Sequence, residues 1–262
     1  MRKLFKPLLI LSLVTLAISC KKDAKVSTND TISQDVLGKI AALGFSNKNV
    51  VVAEDGYIVE GDILLTPQHL NGSPSTTLLR IAGVEQYRTF NLVTALPRVI
   101  KVAVSSRLPA SYIAATDEAL ARYNAENLLV TFQRVTSGED ITLVKGNGNY
   151  LASAGFPTST GDPYNQVKIN SSQLNGQPQA TVASVIAHEL GHCIGFRHTD
   201  YMDRSYSCGG APSNEGASTV GAVLIPGTPS GPDAGSWMLS CIGSGQNRPF
   251  NNNDKTALNY LY

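Results

Sequence analysis

Apolar residues recur along this chain in two periods, and the alternation between them predicts its elements. Spacings of three and four predict a short helix over residues 34–43. A longer helix over 111–127 follows, carried by Ile113, Thr116, Leu120 and Tyr123. A third, over 181–193, sets Val182, Ile186, Leu190 and Cys193 on one stripe, which makes Cys193 a buried core thiol rather than a ligand or nucleophile. Short runs rich in β-branched residues predict strands at 50–52, 57–63, 99–104, 128–135, 141–144 and 167–170. Residues 254–262 close the chain as a short helix with Asp254 as its cap. His69 reads as an exposed loop residue.

Two stretches break the periodicity. Residues 149–165, dense in Gly, Ser, Thr and Pro, read as the upper rim and edge strand of a cleft. Residues 205–235 are too long for an idle connection and should lack regular structure, forming the pocket wall on the leaving-group side.

The first 19 residues are patterned for export rather than for folding. Arg2, Lys3 and Lys6 precede an apolar run from Leu8 to Ile18, too short for a permanent span. Ala17-Ile18-Ser19-Cys20 resembles a bacterial lipobox, which makes Cys20 the lipidated new N-terminus. A plain secretory signal with an incidental Cys20 is the alternative. The expected organisation is a signal peptide (1–19), a lipid-tether linker (20–31), an N-terminal region (32–96) and a catalytic domain (97–262). The N-terminal region is either a propeptide or a permanent extension. The protein is then an exported lipoprotein of the bacterial cell envelope, otherwise secreted, meeting membrane through its lipid anchor only.

Charge adds an exclusion. Of 21 basic residues three fall in the signal, leaving 18 against 20 acidic side chains and a net charge of −2 after its removal. That balance gives no electrostatic reason for a nucleic-acid partner. A monomer acting on a protein or peptide substrate is expected.

Chemistry concentrates in the string His188-Glu-Leu-Gly-His192-Cys-Ile-Gly195-Phe-Arg-His198. On a helix, His188 and His192 lie one turn apart on one face, close enough to share a metal ion. Glu189 sits roughly 100° round the axis, beside the pair rather than on it. Gly195 can take a left-handed conformation just past the last turn, so the chain can swing His198 back as a third ligand. Three imidazoles with an open fourth position form a catalytic rather than a structural zinc site. The reaction expected of it is peptide-bond hydrolysis by zinc-activated water with Glu189 as general base, one zinc ion per chain.

This string resembles the extended zinc signature of the metzincin metalloendopeptidases. Together with RSYSCGG and IPGTPSGPDAGSWMLSC it is similar to the bacterial dual-action HEIGH metallopeptidases, most specifically between residues 184 and 241. The resemblance implies an α+β, metzincin-like zincin fold. Its parts are a twisted, mostly parallel sheet, an active-site helix and a loop-rich C-terminal subdomain with a methionine turn at Met238 beneath the metal. It also implies that the edge strand binds substrate in extended form. Ser240 stands where astacin-like enzymes place a metal-reaching tyrosine, so no tyrosine switch is expected. Latent metzincins often hold a cysteine or carboxylate over the zinc. Residues 21–96 contain no cysteine, which leaves Glu60 or Asp62 for that role.

Export permits disulfides. Cys208 and Cys241 flank the methionine turn and form the favoured pair, with Cys193 to Cys208 the main alternative. Two other functions stay open beside proteolysis. One is a surface adhesin or glycan-binding module on a protease fold; the other is a zinc amidase acting on cell-wall peptides.

Overall fold

A computed structural model of the chain describes residues 32–43, 45–71, 86–215, 222–229 and 232–262. Its N-terminal part runs α1 (Gln34–Ala42), β1 (Val51–Ala53), β2 (Gly56–Val59), β3 (Ile63–Leu65) and α2 (Pro67–Asn71). The middle runs β4 (Tyr87–Arg88), β5 (Arg98–Val104), α3 (Ser111–Asn124), β6 (Val130–Val135), β7 (Ile141–Lys145), β8 (Ala152–Ala154), β9 (Gln166–Ile169), α4 (Ser171–Leu174) and α5 (Gln179–Cys193). The C-terminal part has β10 (Phe196–Arg197), α6 (Ser205–Cys208), β11 (Val223–Leu224) and α7 (Asn252–Leu261).

Alternating buried and exposed residues on β5 and β6 mark a sheet covered on one face. Eight strands share it in the order β1-β2-β3-β8-β9-β7-β5-β6. Its central pairs, β5 with β6, β5 with β7 and β7 with β9, are parallel, and α3 makes the crossover from β5 to β6. β8 runs antiparallel to β9, and β3 pairs with β8 at Ile63 and Ala154. Without β3, β8 would be the edge of this sheet. A second, three-stranded sheet, order β10-β4-β11, was not legible in the sequence because its strands are two residues long.

Helices α3 and α5 pack together on the covered face. Ala115 and Ala119 of α3 are buried, and such small side chains permit a close crossing. Tyr123 then donates from its hydroxyl to the Ala187 carbonyl of α5 at 2.7 Å. The expected α3 stripe needs one correction. Ile113 is 39% exposed, and the inward face is Tyr112, Ala115, Thr116, Ala119, Leu120 and Tyr123. On α5 the single stripe widens until every residue from Thr181 to Cys193 is buried.

Three smaller expectations are also corrected. Asn251 rather than Asp254 is the N-cap of α7; Asp254 is the N3 partner of a capping box, accepting from the Asn251 backbone N–H while the Asn251 side chain accepts from residue 254. His69 lies in α2, half-buried, where its Nδ1 accepts from the Thr66 N–H. Residues 205–235 are not wholly irregular, since they contain α6 and β11.

The apolar interior has two parts. The larger surrounds α3, α5 and the central strands. The smaller, formed by Ile40, Phe45, Val59, Ile63, Leu65, Leu70 and Phe156, takes all its members from residues 32–71 except Phe156. Phe45 stacks on that ring with centroids 5.9 Å apart, and Phe156 in turn meets His192 edge-on at 5.5 Å.

Candidate active site

The histidines meet because α5 ends where it does. His188 and His192 project from its last turns, and Gly195 follows with φ +108°, a conformation that suits glycine alone. A Cβ there would come within 2.8 Å of Leu92 Cδ2 and 2.9 Å of the Asn91 carbonyl oxygen. Past this turn β10 pairs with β4 and delivers His198 to the other two. The three ring centroids lie 4.7, 5.2 and 4.9 Å apart. All three rings are buried, and each Nε2 lacks a hydrogen-bond partner.

Each Nδ1 has an acceptor. His188 Nδ1 donates to the Trp237 carbonyl at 2.9 Å, and His192 Nδ1 to the Phe196 carbonyl at 2.8 Å. His198 Nδ1 lies 3.3 Å from Glu215 Oε2. These partners accept, so each Nδ1 carries a proton and the converging Nε2 atoms are the ones left to ligate a metal. Burial, with the charges of His188 and His198, also pushes the His192 pKa well down, which favours the neutral ligand form. Glu215 was missed in the sequence, where nothing in a Gly/Ser/Pro-rich stretch marks it. Burial opposes charging His198, yet Asp62 and Glu215 together raise its pKa well above the usual value.

Glu189 is buried beside the pair, with Oε2 unpartnered. Burial first, and then the Asp62 charge, push its pKa well above the normal carboxylate range. Asp62 itself stands in front of the imidazoles: its carboxylate oxygens lie 3.5 Å from His188 Nε2, 3.9 Å from His192 Nε2 and 3.2 Å from His198 Nε2. One carboxylate oxygen and the three ring nitrogens all fall within 4.8 Å of one another. Burial alone would raise the Asp62 pKa, but the neighbouring His198 and His188 hold it well below the usual value. Glu60, the other acid considered for this position, instead accepts from Arg197 at 2.7 and 3.0 Å. Arg197 is fully buried, with its guanidinium 4.7 Å over the Phe45 ring.

Trp237 and Met238 form a tight turn against α5. Met238 is fully buried, and Thr199 N–H donates to its carbonyl at 2.9 Å. Gly191, between the two helical histidines, permits this approach. A Cβ on it would meet the Met238 sulfur at 2.6 Å and Trp237 Nε1 at 3.1 Å. Cys208 and Cys241 form a disulfide that joins α6 to the segment after the turn. Cys193 is free and buried, and burial pushes its thiol pKa well up. Cys20 lies outside the described residues.

A cavity of about 230 Å³ opens beside His188 and Glu189. Asn149, Tyr150, Leu151 and Ala152 line one side, in keeping with a rim at 149–165. The rest of the lining differs from expectation. Among the described residues it includes Arg204, Leu239, Ser240, Cys241, Ile242 and Arg248, with none from 205–235. The disulfide ties α6 to Cys241, which itself lines the cavity.

Three imidazoles whose Nε2 atoms converge beside a buried carboxylate form the donor set of a metal-dependent hydrolase. The chain belongs to the dual-action HEIGH metallo-peptidase family, whose model matches residues 58–262. Two solved structures of myroilysin are similar at 14% identity: one alignment covers 65% of this chain and 82% of that one with a TM-score of 0.42. The other covers 77% and 98% with a TM-score of 0.43. High choriolytic enzyme 1, a hatching-enzyme zinc protease from the medaka fish Oryzias latipes, is 18% identical over 62% of this chain and 88% of its own, at a TM-score of 0.36. No curated protein gave a significant match.

Proposed function

We propose that this metallopeptidase is an exported zinc endopeptidase of the metzincin type, and that the full chain is its latent form. The observation that carries the reading is the convergence of three buried, unpartnered Nε2 atoms next to Glu189. A set of three nitrogens without a thiolate suits zinc and leaves a coordination position for chemistry. Bound by His188, His192 and His198, a single zinc ion would supply Lewis acidity and a water of lowered pKa. Glu189, whose pKa burial raises well above the ordinary carboxylate range, takes a proton from the attacking water and returns it to the departing amine. Met238, as the methionine turn, supports the rings from below.

Latency rests on Asp62. Its carboxylate fills the space in front of all three Nε2 atoms, while β3 covers the outer edge of β8. A substrate in extended form needs that same strand edge for backbone pairing. The smaller apolar cluster and the Glu60–Arg197 pair hold the segment down. In this reading the part that stays includes Gln86. Its side-chain amide donates to Asp254 at 2.6 Å and to Ser236 at 3.1 Å, deep in the main body.

The test is a digest of internal-sequence peptides by the zinc-loaded full chain before and after removal of its N-terminal segment by limited proteolysis. Cleavage at internal bonds should appear after removal and disappear with chelator, and Asp62→Ala should raise the activity of the uncut chain. Chelator-resistant cleavage, or trimming from peptide ends alone, would sink the endopeptidase reading. Equal activity before and after removal would sink latency.

Export and a lipid anchor at Cys20 belong to the same reading, motivated by the basic tip, apolar run and small residue before that cysteine. Cys20→Ser should move the protein from the membrane to the soluble fraction, and unchanged partition would remove the anchor.

A further inference from the structure

The cavity beside Glu189 has a cation in its lining. Its walls are largely apolar, with Val185, Trp237, Leu239 and Ile242 among them, and Arg248 shares that lining with His188 and Glu189. The guanidinium is fixed by neutral groups. Nη1 donates to the Cys241 carbonyl at 3.0 Å and Nη2 to Gln246 Oε1 at 3.4 Å. The backbone around it is fixed as well, since Arg248 N–H donates to Ser184 Oγ of α5 at 2.9 Å and Arg122 donates to the Arg248 carbonyl.

No carboxylate among the described residues lies within ion-pairing distance of Arg248. The two nearest acids in electrostatic terms are Asp200 and Asp254, and both are engaged elsewhere. Asp200 accepts from Ser207 and from Ser240, and Asp254 accepts from Gln86, Trp237 and Asn251. The other cation in the lining, Arg204, already pairs with Glu215 at 3.2 Å. Half-burial depresses the Arg248 pKa, which marks a charge short of solvation. The cavity's own carboxylates are Asp62, which the latency reading removes, and Glu189, which the reaction itself uses.

Resting on the endopeptidase reading above, we propose that Arg248 selects an acidic side chain, Asp or Glu, on the residue just after the scissile bond. The direction follows from Glu189. It must reach the departing amine, and it lines this cavity, so the cavity takes the first side chain of the leaving fragment. Apolar walls carry the methylene stem, and the guanidinium meets the carboxylate as a charge-assisted, two-pronged partner. A lysine or arginine side chain would bring a second cation to a poorly solvated one.

The experiment compares matched peptides that differ only at the residue after the cleaved bond, Asp against Asn and Glu against Gln. The enzyme is the zinc-loaded full chain activated by limited proteolysis. We expect kcat/KM to favour the acid at least tenfold, with the ratio shrinking as salt is raised. Arg248→Gln should collapse the ratio to below about twofold, Arg248→Lys should keep part of it, and Arg248→Glu should invert the choice toward lysine. The native ratio needs no variant to fold, so an acid-to-amide ratio near one overturns the assignment even while peptides are cut. A ratio that survives Arg248→Gln overturns it too. A protein that cuts no peptide removes the endopeptidase reading, and the pocket assignment falls with it.

Discussion

Arg197 grips Glu60 through two hydrogen bonds in a pair from which solvent is wholly excluded, and the two partners stand at critical places in the chain. Arg197 immediately precedes the third histidine, and Glu60 lies two residues before the carboxylate that faces all three. The pair therefore couples the fastening of the N-terminal segment to the geometry of the site. Glu60 also takes φ +55°, a backbone conformation uncommon for a residue with a side chain, so the contact holds the turn that aims Asp62.

Breaking one side of a buried pair leaves an uncompensated charge, which typically costs about 3–5 kcal/mol. Glu60→Gln should therefore lower the unfolding free energy of the full chain by an amount in that range and make its N-terminal segment more easily cut by an added protease. Denaturant unfolding and a digestion time course measure both. A variant as stable and as resistant as the native chain would show that the pair does not fasten the segment.

Glu189→Gln should keep the metal and lose the chemistry. The three imidazoles and their Nδ1 partners are untouched by it, while an amide cannot take the proton, so turnover should fall by roughly 10²–10⁴-fold. Elemental analysis should still find one zinc per chain. Activity above a few per cent of native would assign the base elsewhere.

Glu215→Gln should act on the metal instead. Glu215 orients His198 and is itself held by Arg204 at 3.2 Å. Loss of such an outer carboxylate typically weakens metal binding by about 10–100-fold. Competition with a chromophoric chelator reads this directly, and an unchanged zinc affinity would reduce Glu215 to a packing role.

The Cys208–Cys241 bridge spans 33 positions. On the chain-entropy model such a loop closure stabilises by about 3–4 kcal/mol, mainly by restricting the unfolded state. Reduction, or Ser at both positions, should cost an amount of that order and should loosen the cavity wall at Leu239 to Ile242 before zinc is released. Cys193, buried at the end of α5, should react with a thiol reagent only after unfolding. Labelling of Cys193 in the folded protein would contradict its burial.

The pH dependence of stability should carry the mark of Asp254. Burial raises its pKa to about 6, against the opposing hydrogen bonds from Asn251, Ser236, Trp237 and Gln86. An acid whose pKa rises on folding is stabilising while protonated. That contribution is fully present below its ordinary value of 3.8 and is lost as pH climbs through 6. Most of that titration falls between pH 4 and 7, where the native chain should lose about 2 kcal/mol relative to Asp254→Asn. Unfolding curves of both proteins across that range give the difference, and parallel curves would exclude the effect.

Periodicity and spacing made much of this protein legible before any coordinates. The zinc-motif helix, the central strands and the glycine turn that returns His198 are local in sequence, because a helix face and a turn depend on residues only a few positions apart. What stayed hidden depends on contacts across the chain. Glu215 meets His198 over 17 positions and Arg197 meets Glu60 over 137, and no local pattern encodes such pairs. β4, β10 and β11 are too short to show a period, so their sheet exists only through tertiary pairing. The resemblance to latent metzincins, with no cysteine in residues 21–96, pointed to a carboxylate as covering group, Glu60 or Asp62. Only the tertiary structure turned Asp62 toward the histidines and sent Glu60 to Arg197, because the turn at Glu60 and Gly61, both with positive φ, splays the side chains on either side of it.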